Sequence, residues 1–246
     1  MGRMTEVVKH LIIINVLFFV VTFVMKNWHL DVYLALWFPE NSNFKIWQIV
    51  THMFMHGGLM HILFNMYALF AFGSPLEMMW GKNKFLFFYL SAGIGAALIY
   101  TAANYYFYNE GMSALITNGY DKVEVLRILS EGKYDTDWGQ YMSPNTLDNF
   151  IAAVASPAVG ASGAIYGVLV AFAMSFPDAR LMMIFLPIPI KAKYFVPGII
   201  VMDLFFGLTS YSMGPVAHFA HVGGAIIGFV MMWYWRRNQF DNNRWN

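Results

Sequence analysis

The sequence predicts an all-α fold: a polytopic membrane bundle of six spanning helices, with an interfacial first loop and an extracytoplasmic insertion between helices three and four. Three observations predict it. Of 246 residues, 59% are hydrophobic and only 12% are charged, roughly half the charged share usual in a soluble domain. Mean hydropathy is +0.51, and several apolar runs approach the roughly 20 residues that a bilayer-spanning helix needs. The polar residues inside those runs gather at the start of three of them instead of scattering.

Each element follows in order. The first apolar run, 10–25, comes after Arg3 and Lys9 and ends at Lys26-Asn27-Trp28-His29. A signal peptide would end in small residues at a cleavage site, so an uncleaved first span is expected. Trp28 to Thr51 is dense in aromatic residues, among them Trp37, Phe38, Phe44 and Trp47, and suits a loop resting on the bilayer interface. Spans two and three are expected at 58–76 and 84–104. Residues 105–156 are polar enough to leave the membrane. Within them, Asp121 to Lys133 carries Val123, Leu126 and Leu129 on a helical spacing, which predicts a short amphipathic helix. Ser156-Pro157 is expected to open span four, 157–176, since proline suits a first helical turn. Spans five and six are expected at 194–212 and 218–235.

Charge sets the orientation. With the N-terminus inside, Lys26, Lys45, Lys122, Arg127 and Lys133 are the outer cations, and the rest of the 15 Lys and Arg lie inside. That asymmetry puts both termini in the cytoplasm and the insertion outside. A bacterial inner (plasma) membrane is the expected setting. The net charge of +1 gives no reason to expect a nucleic-acid partner. With no cysteine, disulfides, thiol catalysis and cysteine-based metal sites are excluded.

Polar groups within spans are costly, so their positions carry information. His61 and Asn65 are one helical turn apart at the start of span two; Gly160-Ala161-Ser162-Gly163 opens span four; His218, His221, Gly223 and Gly224 open span six. Spans two, four and six all run inward from the outer face, so these groups share a depth. A serine hydroxyl is a weak nucleophile until a base takes its proton, and a neutral histidine suits that task. Ser162 and His221 are the proposed pair. The oxyanion formed by attack on a peptide carbonyl needs fixed donors, for which the Ser162 N–H, the Asn65 amide and His61 are candidates. Gly163/Gly167 and Gly224/Gly228 each form a Gly-x-x-x-Gly face that would let spans four and six approach closely.

Over nearly its whole length the chain resembles the rhomboid family of intramembrane serine proteases. The resemblance rests on Gly160-Ala161-Ser162-Gly163, on Ala217-His218-Phe219-Ala220-His221-Val222-Gly223-Gly224, and on His52, His56, His61-Ile62-Leu63-Phe64-Asn65 with Gly73-x-x-x-Glu77-x-x-x-Gly81. It implies one rhomboid-like domain over 1–246. It implies Ser162 as nucleophile and His221 as general base, with His61, Asn65 and the backbone at Gly160 to Ser162 lining the oxyanion site. Tyr166 would pack against the base and His218 would support it. No aspartate completes a triad in this family, so a dyad is implied, with no cofactor and no metal. The implied partners are the lipid bilayer and single-pass transmembrane proteins, cut near the outer face. Trp47-Gln48 departs from the family's frequent Trp-Arg, and the insertion is longer than the compact fold requires.

Plainer readings stand beside these. Ser162 alone would be a packing residue, and His221 alone a satisfied histidine between helices. His52 and His56 are expected to satisfy loop backbone groups; His10 and His29 look incidental. The pairs His52/His56 and His218/His221 have ligand spacing but no carboxylate beside them in sequence, which argues against a metal site. Asp203, within span five, is expected to tie to a hydroxyl or histidine that the sequence does not name. Glu77 reads as a structural clamp. The alternative function is a non-catalytic rhomboid-like binder of transmembrane segments; a transporter would show paired repeats, which are not found.

Overall fold

In the computed structural model, which describes residues 3–183, 186–209 and 217–238, helix α1 (Glu6–Val24) begins on a carboxylate from another helix. Glu77 accepts hydrogen bonds from Thr5 Oγ1 (2.5 Å), Val7 N (2.9 Å) and Val8 N (2.9 Å). The first N–H groups of a helix have no intrahelical acceptor, and a carboxylate also suits the positive end of the helix dipole. The expected clamp is therefore a cap. Glu77 is on α2 (Leu59–Trp80), which widens to a π-helical turn at Leu69–Gly73.

Gly81, at φ +80, turns the chain into α3 (Lys82–Thr117). At 36 residues α3 is about 54 Å long, far beyond the bilayer core. The helix continues past the expected end of span three, near 104, into the insertion. The polar residues after 104 change the helix's surroundings but include no proline to break it. Beyond 104, Tyr108, Met112 and Leu115 form a second core with Phe38, Val125, Leu129, Trp138 and Phe150. The insertion is thus a folded cap with a core of its own.

Two helices complete that cap. In α4 (Lys122–Ser130) the Asp121 side chain accepts from Glu124 N, and the buried positions are Val125 and Leu129. Val123, expected on the apolar face, is exposed. Leu129 is buried and Leu126 packs against the cap core, as the spacing predicts, while Val125 takes the place expected for Val123. In α5 (Pro144–Ala155), Ser143 caps the helix and proline takes the first turn.

Pro157 does not open a helix. Ala158 is held extended by reciprocal backbone bonds with Leu36, both 2.9 Å, and the residue before a proline disfavours helical geometry. Helix α6 (Ser162–Ser175) therefore starts five residues later than expected. It is buried along nearly its whole length between α3 and α8 (His218–Arg237). Between α6 and α7 (Ala192–Leu208), strands β1 (Arg180–Met183) and β2 (Leu186–Lys191) pair antiparallel, with Arg180 opposite Lys191. This hairpin corrects the all-α expectation. Alternate prolines and β-branched residues in Leu186 to Ile190 disfavour a helix there.

Three described helices are long and apolar enough to cross a membrane: α1, α2 and α3. Helix α6 is apolar but has only 14 residues. Helices α7 and α8 coincide with the last two expected spans; residues 210–212 and Arg244 lie outside the described residues.

Candidate active site

Close approach of α6 and α8 comes from glycine on both faces. A Cβ on Gly228 would meet Gly167 Cα at 2.6 Å, and one on Gly167 would meet Gly224 O at 3.0 Å. On its other side α6 meets α3, where Ala96 and Ala92 stand against Gly163 and Gly167. The helix is wedged between the backbone of α8 and the alanine Cβ atoms of α3, which leave no room for side chains at Gly163 and Gly167. Its first residue is Ser162.

At that end, Ser162 Oγ lies 2.8 Å from His221 Nε2. The Tyr166 ring stacks on the imidazole at 4.3 Å between centroids and 9° between planes, as expected of the residue one turn after the serine. Stacking fixes the imidazole's tilt, and the hydroxyl fixes its direction.

Sequence reasoning named Asp203 without a partner; the fold supplies three. From α7, Asp203 Oδ1 lies 3.1 Å from His221 Nδ1 and 2.6 Å from His218 Nδ1, while Oδ2 accepts a hydrogen bond from the Tyr166 hydroxyl. The statement that no carboxylate stands by the His218/His221 pair holds along the chain but not in space. These three side chains are also a set that could hold a metal ion, their ligand atoms lying within 4.8 Å of one another. Each histidine is in hydrogen-bond contact with Asp203 Oδ1, at 2.6 Å for His218 and 3.1 Å for His221, the arrangement of shared protons. No local sequence signal could have found this, because the separations of 15 and 18 residues place the partners on two different helices, α7 and α8.

His61 and Asn65 approach from α2. Gly160, at φ +124, adopts a conformation that favours glycine. A Cβ there would stand 2.8 Å from His61 Nε2 and 3.5 Å from Ser162 Oγ, so the missing side chain keeps open a space that both groups border. Gly57 N–H donates to His61 Nδ1 at 3.4 Å, which leaves Nε2 as the protonated, donating nitrogen of a neutral ring. Asn65 is buried, and its Nδ2 has no protein partner among the described residues. Gly160 lines this space but does not donate into it, since its N–H is bonded to His52 O (2.9 Å). Of the expected backbone donors, the N–H groups of Ala161 and Ser162 remain, the latter at a helix start where N–H groups lack intrahelical acceptors.

The first loop braces this region. Gln48, fully buried, accepts from Trp37 N and Lys45 N and donates to the carbonyls of Val32, Tyr33 and Asn43. An uncharged amide with both donors and acceptors ties the loop together without the arginine that the family pattern leads one to expect. His52 bonds the Gln48 carbonyl through Nδ1 (2.8 Å), as expected of a loop-satisfying histidine, and burial pushes its pKa down to about 4. His56 is buried with its ring edge-on to His61, 5.0 Å between centroids.

Comparison with known proteins gives a consistent result. The rhomboid domain model matches residues 43–120 and 140–238. The chain is 31% identical to the mitochondrial presenilin-associated rhomboid-like protein of Homo sapiens over 74% of its own length and 35% of that protein. It is 29% identical to an uncharacterized mitochondrial rhomboid protein of Schizosaccharomyces pombe, over 75% of this chain and 49% of the other. To the mitochondrial Rhomboid protein 1 of Saccharomyces cerevisiae it is 25% identical, over 76% and 41%. The chain therefore spans between a third and a half of the length of these curated relatives.

Proposed function

The chain is a member of the rhomboid family and a membrane protein, and from that premise we propose that it is an intramembrane serine endopeptidase acting through Ser162 and His221. The observation that carries this reading is the 2.8 Å contact between Ser162 Oγ and His221 Nε2, made by two helices whose glycine faces let them pack closely. In the proposed reaction Oγ attacks the carbonyl carbon of a peptide bond while its proton passes to Nε2. The resulting oxyanion takes hydrogen bonds from Asn65 Nδ2, His61 Nε2 and the Ser162 N–H. The C–N bond then breaks, His221 protonates the leaving amine, and water attacks the acyl-enzyme with His221 again as base.

Depth follows from lengths. Six helices (α1, α2, α3, α6, α7 and α8) are taken to span, with both termini cytoplasmic. At 14 residues α6 is about 21 Å long against a hydrocarbon core of about 30 Å. With its far end at the cytoplasmic face, Ser162 would sit below the outer surface, where a partly unwound transmembrane segment could reach it. The proposed substrates are single-pass membrane proteins. Charge asymmetry sets the orientation; a plasma membrane is the proposed setting, and the curated relatives carry mitochondrial names.

Ser162→Ala, reconstituted in liposomes with a single-pass model substrate, should insert and fold yet lose cleavage. A variant as fast as the parent would overturn the reading. A fluorophosphonate that labels the parent and not Ser162→Ala separates this reading from that of a non-catalytic binder of transmembrane segments, which has no need of an activated hydroxyl.

A further inference from the structure

A histidine acts as general base only if its proton is on the ring nitrogen facing away from the nucleophile. Here the nitrogen facing away is Nδ1, and it lies 3.1 Å from Asp203 Oδ1. An ionised carboxylate accepts and cannot donate. The contact therefore sets the proton on Nδ1 and leaves the Nε2 lone pair aimed at Ser162 Oγ, 2.8 Å away. Asp203 is itself held in place. The Tyr166 hydroxyl donates to Oδ2 and His218 Nδ1 approaches Oδ1, and Asp203 is buried on α7.

We infer that Asp203 is a positioning residue for this reaction, so that Ser162, His221 and Asp203 work as a triad assembled from α6, α8 and α7. The inference rests on the protease reading above. In the resting state the carboxylate fixes the tautomer. As His221 takes the Ser162 proton and becomes an imidazolium, the fixed negative charge stabilises it; no proton moves to Asp203. Tyr166 acts twice, stacking on the imidazole and holding the carboxylate. His218 is a second ring on the same acceptor, and its role is to keep Oδ1 facing α8.

The test uses the full chain in liposomes with a transmembrane peptide substrate. Fluorophosphonate end-point labelling counts competent sites, so rates are expressed per labelled site. Asp203→Asn should lower kcat per site by about 10²- to 10⁴-fold, with KM within about threefold of the parent. Asp203→Glu should recover part of the loss. A merely structural role would reduce the number of labelled sites and leave the rate per site unchanged, which would overturn the proposal. Should Asp203→Asn not fold, ¹⁵N-histidine spectra of the parent decide: His221 protonated on Nδ1 upholds the triad, and protonation on Nε2 overturns it. Loss of parent activity to a zinc chelator, restored by zinc, would also overturn it by making the cluster a metal centre. Full activity per site in Asp203→Asn together with an inactive Ser162→Ala removes the triad alone; an active Ser162→Ala removes the protease reading itself.

Discussion

A methyl group added to Gly224 would stand 1.8 Å from the carbonyl oxygen of Gly163, the residue after the candidate nucleophile. Real Cβ atoms do not approach a backbone oxygen so closely, so Gly224→Ala must push α8 away from α6. Overpacking a tight interface costs about 1 to 3 kcal/mol. The variant should show a lower melting temperature and a larger loss of cleavage than of stability, because the same displacement opens the Ser162 to His221 contact. Gly198→Ala on α7, whose added Cβ meets nothing within 4 Å, should leave both almost unchanged.

Asn65, one turn below His61, has an amide donor with no protein partner among the described residues. On the proposed reaction Asn65→Ala loses one of three oxyanion donors and should lower kcat by about 10²- to 10³-fold, with KM little changed. Steady-state cleavage checks this. The loss should be smaller than that of Ser162→Ala.

Glu77 caps α1 from α2 through three hydrogen bonds. Glu77→Ala leaves two backbone donors at the helix start without acceptors, at a cost of about 2 kcal/mol. Glu77→Gln keeps one acceptor oxygen and should lose less. Thermal unfolding in detergent should rank them parent, Gln, Ala, while the rate per labelled Ser162 stays at the parent level, since the cap does not touch the site.

His52 gives stability a pH dependence whose sign can be worked out. Its folded pKa is held near 4 by burial, against 6.5 in the unfolded chain. Between those values the unfolded state binds the extra proton, so this contribution is intact above pH 6.5 and is lost as pH falls toward 4. Melting temperature measured from pH 7.5 to 4.5 should decline through that window. His52→Phe should flatten the decline, although it also loses the bond to the Gln48 carbonyl.

How much of this was legible depended on distance along the chain. Burial of the hydrophobic runs, the shared turn of His61 and Asn65, and the glycine faces at 163/167 and 224/228 are periodic, and periodicity is local. Composition and spacing determined a membrane-embedded helical protein with Ser162 and a histidine of span six as its reactive candidates, and the family resemblance singled out His221 over His218. Where order in sequence had to become order in space, only the tertiary structure decided. It made residues 105–156 a cap with its own core, delayed α6 by pairing Ala158 with Leu36, and committed the Gly160 N–H to His52. It also brought Asp203 to His221. A carboxylate on one helix finds an imidazole on another through the angles and offsets at which helices pack, and these depend on all the side chains of the interface together.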